Sequence, residues 1–329
     1  MYLVVSSLCA FCEVKLQSHL KMVTCRSGIT CATGAGYASG STVVGIDTSI
    51  NSIGNLQGSL PDNVFANLTN MTDLVIKNNA GFSGKLPSTI GLLKRLTRLD
   101  VRQTGLNGTL PDFFNNLTAL TYLDLSNTQM TGSLLASIGN ATQLGLLNVG
   151  TSQFSGAVPT SWRSLTKMGT LYLNQMPNIQ GPLPDIFGGM TQLTDLVIDH
   201  SNHGGTLPTS LKNATSLQQL LASNCNFNAP LPDIFGGMKN LNVLTLDSNN
   251  FAGPIPASMA NLTALTTLYL ENNALNGSIP NIFGGMTSMT SLDLSNNYFS
   301  GALPASLLAL TSLNFLYSFF PNSVTISIY

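Results

Sequence analysis

The chain has 329 residues, of which 43% are hydrophobic and only 8% charged, with 13 Lys and Arg against 14 Asp and Glu for a formal net charge of −1. A surface that neutralises many phosphates needs a basic stripe, and a disordered tail needs charge with few apolar residues, so neither a nucleic-acid partner nor wholesale disorder is expected. No apolar run reaches the roughly eighteen residues of a membrane-spanning helix, so this chain is not expected to span a bilayer.

The first dozen residues, MYLVVSSLCAFC, are apolar and end in small residues, the texture of a secretory leader without its usual positive start. A truncated start or a buried first strand is the alternative reading. Four of the five cysteines, Cys9, Cys12, Cys25 and Cys31, crowd this end, while Cys225 stands alone. No His lies beside the four at ligand spacing, so they predict a disulfide-stapled cap in an oxidising compartment rather than a metal site. If a leader is removed, Cys9 leaves with it and Cys25 with Cys31 remains. Residues 1–42 are read as leader and cap.

From there the chain repeats. An aliphatic residue followed by Pro recurs from Leu60-Pro61 to Leu303-Pro304, and Leu134-Leu135 keeps the phase without the Pro. Eight of the ten intervals are 24 residues, the others being 26 and 25. A typical unit, LTTLYLENNALNGSIP at Leu265 to Pro280, contains the alternating Leu268-x-Leu270, a strand signal too short to stand alone. Stacked neighbours bury its apolar face for one another. The expected fold is α/β: a solenoid of about eleven units over residues 43–317, with a curved parallel sheet inside and short helical or 3-10 turns outside.

The ninth repeat position holds Asn79, Thr104, Thr128, Ser152, Met176, Ser201, Cys225, Asn249, Asn273 and Asn297. All but Met176 can hydrogen-bond to the backbone of adjoining turns, with Asn178 a substitute in that lengthened unit, and Cys225 reads as a ladder residue rather than a reactive thiol. Asp62, Asp112, Asp185 and Asp233 directly follow the repeat Pro, where each is expected to cap its convex turn. IFGGM recurs 48 residues apart at Ile186, Ile234 and Ile282, so repeats duplicated in pairs.

The G-x-L/I-P element and the 24-residue period resemble the plant-specific class of leucine-rich repeats. That class occurs in receptor-like kinase ectodomains, receptor-like proteins and polygalacturonase-inhibiting proteins, and similar repeats occur in protozoan surface antigens. Cys25-Arg-Ser-Gly-Ile-Thr-Cys31 resembles the end of the N-terminal cap of that class, C-x-W-x-G-V-x-C, but lacks the Trp and one residue of spacing. The resemblance implies a Cys25–Cys31 disulfide. No paired-cysteine cap follows the last repeat, and residues 318–329 read as an atypical apolar tail.

In that architecture the exposed strand positions line the concave face. Eight of the fourteen acids fall there, with Lys77, Arg98 and Arg102 as its only cations, all in the first two strands of the series. The candidate ligand-binding residues are Arg98, Asp100, Arg102, Tyr122, Asp124, Tyr172, Asp195, Asp199, Asp247, Tyr269, Glu271 and Asp293. Acids of one sign steer a basic partner, and tyrosines supply rigid contact area. Asp199, His200 and His203 form a histidine cluster, but His203 occupies a core position, so no metal is expected. No Ser/His/Asp set, nucleophile elbow or phosphate loop is present, so no enzyme and no cofactor is expected. Eight Asn-x-Ser/Thr sequons, among them Asn107, Asn213 and Asn276, fall outside the strand face. The chain therefore reads as a secreted or cell-surface module, monomeric or in a ligand-induced complex, that binds a protein or peptide, with a basic one favoured by the acids. The ectodomain of a receptor-like kinase, an enzyme inhibitor and a surface-coat protein are the alternatives.

Overall fold

A computed structural model describes residues 57–317 apart from 64, together with the backbone of the strands Cys12–Gln17, Leu20–Cys25, Ile29–Cys31 and Val43–Asp47. The chain forms two compact units, Met1–Phe154 and Ser155–Tyr329. The expected Cys25–Cys31 disulfide and the apolar tail fall outside the side chains described.

In the first unit, Cys12–Gln17 pairs antiparallel with Leu20–Cys25, and Ile29–Cys31 antiparallel with Val43–Asp47. The repeat strands then run parallel and in register from Val43–Asp47 through Asp73–Val75, Arg98–Asp100 and Tyr122–Asp124 to Leu146–Asn148. Their central leucines, Leu74, Leu99, Leu123 and Leu147, are fully buried, which is what a three-residue strand needs to persist. A second layer of parallel strands follows at Asn79–Gly84, Thr104–Thr109 and Gln129–Ser133. The 3-10 turns Ser88–Leu92, Phe114–Asn116 and Ala136–Asn140 close the units.

The second unit repeats the plan. Seven strands, Thr170–Tyr172, Asp195–Val197, Gln219–Leu221, Val243–Thr245, Thr267–Tyr269, Ser291–Asp293 and Phe315–Tyr317, pair parallel with no register shift. Its 3-10 turns alternate between five residues, as in Thr209–Asn213, and three, as in Phe187–Gly189. Each repeat leaves its strand through one left-handed residue, such as Asn224 (φ 53°) or Asn272 (φ 54°), a conformation that Asn tolerates better than most residues.

The polar ladder holds these corners. Asn249 donates from Nδ2 to the carbonyls of Ala222 (2.8 Å), Leu246 (3.0 Å) and Asp247 (3.0 Å), and its Oδ1 accepts the N–H groups of Cys225 and Phe227, both at 3.0 Å. Asn273 and Asn297 repeat the pattern. Ser201 does part of the same work, donating to Leu173 O and accepting Met176 N–H at 3.1 Å. The Met176 N–H is thus served from the next repeat. The Cys225 thiol donates to Ile198 O at 3.0 Å, and burial pushes its pKa up to about 12, so it is a ladder residue and not a nucleophile.

Two of the post-proline acids, Asp185 and Asp233, act differently from expectation. None of the 3-10 turns carries a side-chain cap from its own preceding residue. Instead Asp185 accepts the N–H of Ser210 (2.7 Å) and Asp233 that of Ser258 (3.2 Å), each in the next repeat's turn. The serines answer: Ser210 accepts Phe187 N–H and Ser258 accepts Phe235 N–H. Asn281 and Ser306 complete a third reciprocal pair with Phe283. This exchange joins an IFGGM repeat to the one after it, with the same 48-residue period.

Candidate ligand-recognition face

The strand sheet presents the sequence-selected residues, but the two units differ. In Met1–Phe154 the charges neutralise one another. Asp100 is fully buried and Asp124 nearly so, because side chains on neighbouring strands stand only roughly 5 Å apart. Arg98 binds Asp100 at 2.8 Å, and Arg102 reaches Asp124 at 3.1 Å and Tyr122 Oη at 2.9 Å. Asp124 also accepts Ser126 N–H and Oγ–H. The Arg98 guanidinium lies 4.2 Å over the Tyr122 ring. Burial works against both guanidiniums, yet the hydrogen bonds and charges of Asp100 and Asp124 outweigh it and raise their pKa values. Burial, then Asp100 and Asp124, raises that of Tyr122. An incoming ligand meets half-exposed arginines and a tyrosine here, with the carboxylates beneath them.

In Ser155–Tyr329 the face is acidic. Asp195, Asp199, Asp247, Glu271 and Asp293 are all half-buried, and no Lys or Arg shares their strands among the described residues. Parallel register arranges them in rows. One row runs Asp199, Ser223, Asp247, Glu271, with Ser223 Oγ–H donating to Asp247. The row between the paired leucines runs Tyr172, Val197, Leu221, Thr245, Tyr269, Asp293. Val197 and Leu221 thus form a short apolar floor between the two tyrosines. Composition gave no reason to single them out, and their signal lay only in register.

Glu271 is the most perturbed acid: burial, with Asp247 and Asp293 adding repulsion, pushes its pKa up to about 7, and its Oε2 is enclosed without a hydrogen-bond partner. Burial first, and then Asp195, raises Tyr172. His200 Nδ1 lies 2.9 Å from Asp199 Oδ2. His203 points the other way, into the core, stacked on Phe227 with centroids 6.3 Å apart. The three residues therefore do not converge, and among the described residues no group of three metal-capable side chains does. The sequon residues Asn107, Asn116, Asn140, Asn213, Asn261 and Asn276 are exposed and lie outside the repeat strands of the main sheet.

This architecture is a leucine-rich-repeat solenoid of the plant type, resembling receptor-kinase ectodomains. Leucine rich repeat family models match residues 231–275, 119–141 and 288–310. Among solved structures, the chain is similar to a TDR receptor, with 28% identity over 84% of this chain and 47% of that one and a TM-score of 0.76. It is similar to PEPR1 in its complex with AtPEP1, at 28% identity over 89% and 43% of the two chains with a TM-score of 0.74. It is also similar to the plant peptide hormone receptor RGFR1 in complex with RGF2, at 31% identity over 80% and 46% with a TM-score of 0.70. The chain spans about half the length of these receptor chains. A search of curated protein sequences finds no match. No helix among the described residues is long and apolar enough to cross a membrane.

Proposed function

We propose that the chain is a non-catalytic extracellular recognition module that binds a basic protein segment or peptide on the concave strand face of its Ser155–Tyr329 unit. The observation that carries this reading is the cation-free acidic face in which Tyr172 and Tyr269 flank an apolar floor in one register row. Steering comes from the acids, and contact area from the tyrosines and the Val197–Leu221 floor. The similarity to peptide-hormone receptors supports a peptide as occupant, and sequons confined to other surfaces support a glycosylated, secreted or surface-exposed chain that keeps this face clear. The 28–31% identity to receptor structures favours one further reading, a ligand-binding ectodomain of a receptor-like kinase.

The test is binding of a displayed library of basic peptides to the full chain and to its Asp199→Asn/Asp247→Asn/Glu271→Gln variant. Rim charge pairs contribute about 0.2–1 kcal/mol each, so the triple change is expected to weaken a selected peptide about three- to 150-fold and to flatten its salt dependence. Equal affinity and equal salt dependence in both proteins would refute the proposal.

A further inference from the structure

Where the chain leaves three successive strands of the second unit, a different concave surface opens. His200, Asn224 and Ser248 turn the corners in left-handed backbone, at φ 55°, 53° and 56°. Two residues further on, Asn202, Asn226 and Asn250 make a second column beside the first. Together they border an open cleft of about 500 Å³, with Ser201 and Asn249 at its floor and the exposed ring of Pro177 at one end.

The cleft exists because the repeats depart from their own pattern here. Elsewhere in this unit a second layer of short strands follows the corner, at Ala252–Gly253, Ala274–Ser278 and Tyr298–Ser300. Between residues 157 and 251 that layer is absent among the described residues, and only the isolated bridges Gly156 to Ile179 and Pro230 to Ala252 stand at its margins. The sequences Ser201-Asn202-His203-Gly204-Gly205 and Cys225-Asn226-Phe227-Asn228-Ala229 replace it. Gly204, Gly205 and Asn226 all take positive φ, at 65°, 66° and 60°, which bends the chain out of extended pairing.

The lining sets the ligand chemistry. It contains no Lys, Arg, Asp or Glu, and the one ionisable ring, His200, already faces Asp199. The corner N–H groups of His200, Asn224 and Ser248 are bonded to the carbonyls of Ser223, Asp247 and Glu271, so those donors are taken. What remains is a grid of amide and hydroxyl side chains at the repeat spacing of roughly 4.8 Å. The amides of the two columns each carry two donors and an acceptor oxygen, whereas Asn249 and Ser201 at the floor are committed to the ladder and Ser248 donates to Asp247; Asn226 already donates to Asn202 at 3.1 Å, an order that fixes both planes. A charged ligand finds no counter-charge within the lining. Sugar hydroxyls, neutral and both donor and acceptor, match the grid, and the pyrrolidine ring of Pro177 suits the C–H face of a pyranose.

We propose that this flank cleft binds a neutral oligosaccharide, whose successive rings hydrogen-bond to the two columns while a terminal ring packs on Pro177. The site borders the acidic strand face, where Asp199 faces His200 and Asp247 accepts from Ser248, but its own lining carries no carboxylate. The probes are cellohexaose, xylohexaose and mannohexaose, titrated calorimetrically into the full chain at low and high salt. At least one is expected to bind with a millimolar or tighter Kd that salt leaves unchanged. Asn202→Ala/Asn250→Ala, at exposed positions of ordinary φ, is expected to weaken it at least about tenfold with the thermal midpoint unchanged. Asn202→Ala alone serves as a second variant if the double change unfolds the chain. Saturation by none of the three at roughly 10 mM, affinity unchanged in the variants, or displacement by a neutral Gly-Ser-Asn peptide would each overturn the proposal. Basic-peptide binding by the double variant is expected to be intact, so failure of either reading leaves the other testable.

Discussion

His203→Phe is expected to stabilise the protein, and increasingly so in acid. His203 is 1% exposed, packs against Phe227 at a repeat position filled by Phe154, Phe227, Phe251 and Phe299 elsewhere, and has no hydrogen-bond partner on either ring nitrogen. An enclosed, unpaired polar atom costs about 1–3 kcal/mol, so phenylalanine is expected to add about 1–2 kcal/mol at pH 7 after allowance for its larger ring. Burial also lowers the imidazole pKa from 6.5 to about 4. Because the folded value is the lower one, the unfolded chain binds more protons between the two, and the native state loses stability as pH falls through that window. The loss is about 2 kcal/mol at pH 5 and approaches about 3 kcal/mol below pH 4. Glu271 runs oppositely: its raised folded pKa makes the native state lose stability as pH rises from 4.5 toward 7. That contribution is common to both proteins and cancels in their difference. Urea unfolding followed by Trp162, the only tryptophan and fully buried in the same unit, measures it. A variant less stable than the parent at pH 7, or a stability difference that does not grow between pH 7 and pH 5, would refute the reasoning.

Asn249→Ala removes a hydrogen bond from five backbone groups, of which Leu246 O and Asp247 O keep another, and is expected to cost about 3–5 kcal/mol, with Asn249→Ser recovering part of it, as Ser201 does in its own repeat; urea midpoints decide. The reciprocal pair predicts coupling: in a double-mutant cycle, Asp185→Ala and Ser210→Ala should interact by about 0.5–1.5 kcal/mol, whereas pairing Asp185→Ala with Ser258→Ala, in a separate exchange, should be additive. For a basic peptide on the strand face, affinity is expected to rise as pH increases through about 7, where Glu271 loses its proton, and Glu271→Gln should abolish that rise in titrations from pH 6 to 8 while leaving the rest of the profile.

What the sequence revealed and what it withheld follow from the distances over which each feature is decided. The repeat is local: Leu-x-Leu, a polar ninth residue and Gly-x-Leu/Ile-Pro lie within one 24-residue unit, so period alone gave the strands, the ladder and the role of Cys225. The fate of each charge is decided one repeat away. Asp100 and Asp293 are each the third residue of their strands, yet Asp100 lies buried under Arg98 and Arg102 while Asp293 stays half-exposed, accepting from Ser295. Counting signs along the chain finds both acids but not the cover over one of them. The turn-capping expectation went astray for the same reason: Asp185 lies next to its own turn in sequence but nearer in space to Ser210, 25 residues on. The 48-residue echo of IFGGM runs in step with that exchange, which recurs at Asp185, Asp233 and Asn281. Recognition surfaces of this class are therefore read across the repeats, along rows such as Tyr172 to Tyr269, and a substitution in one unit changes the chemistry offered by its neighbour.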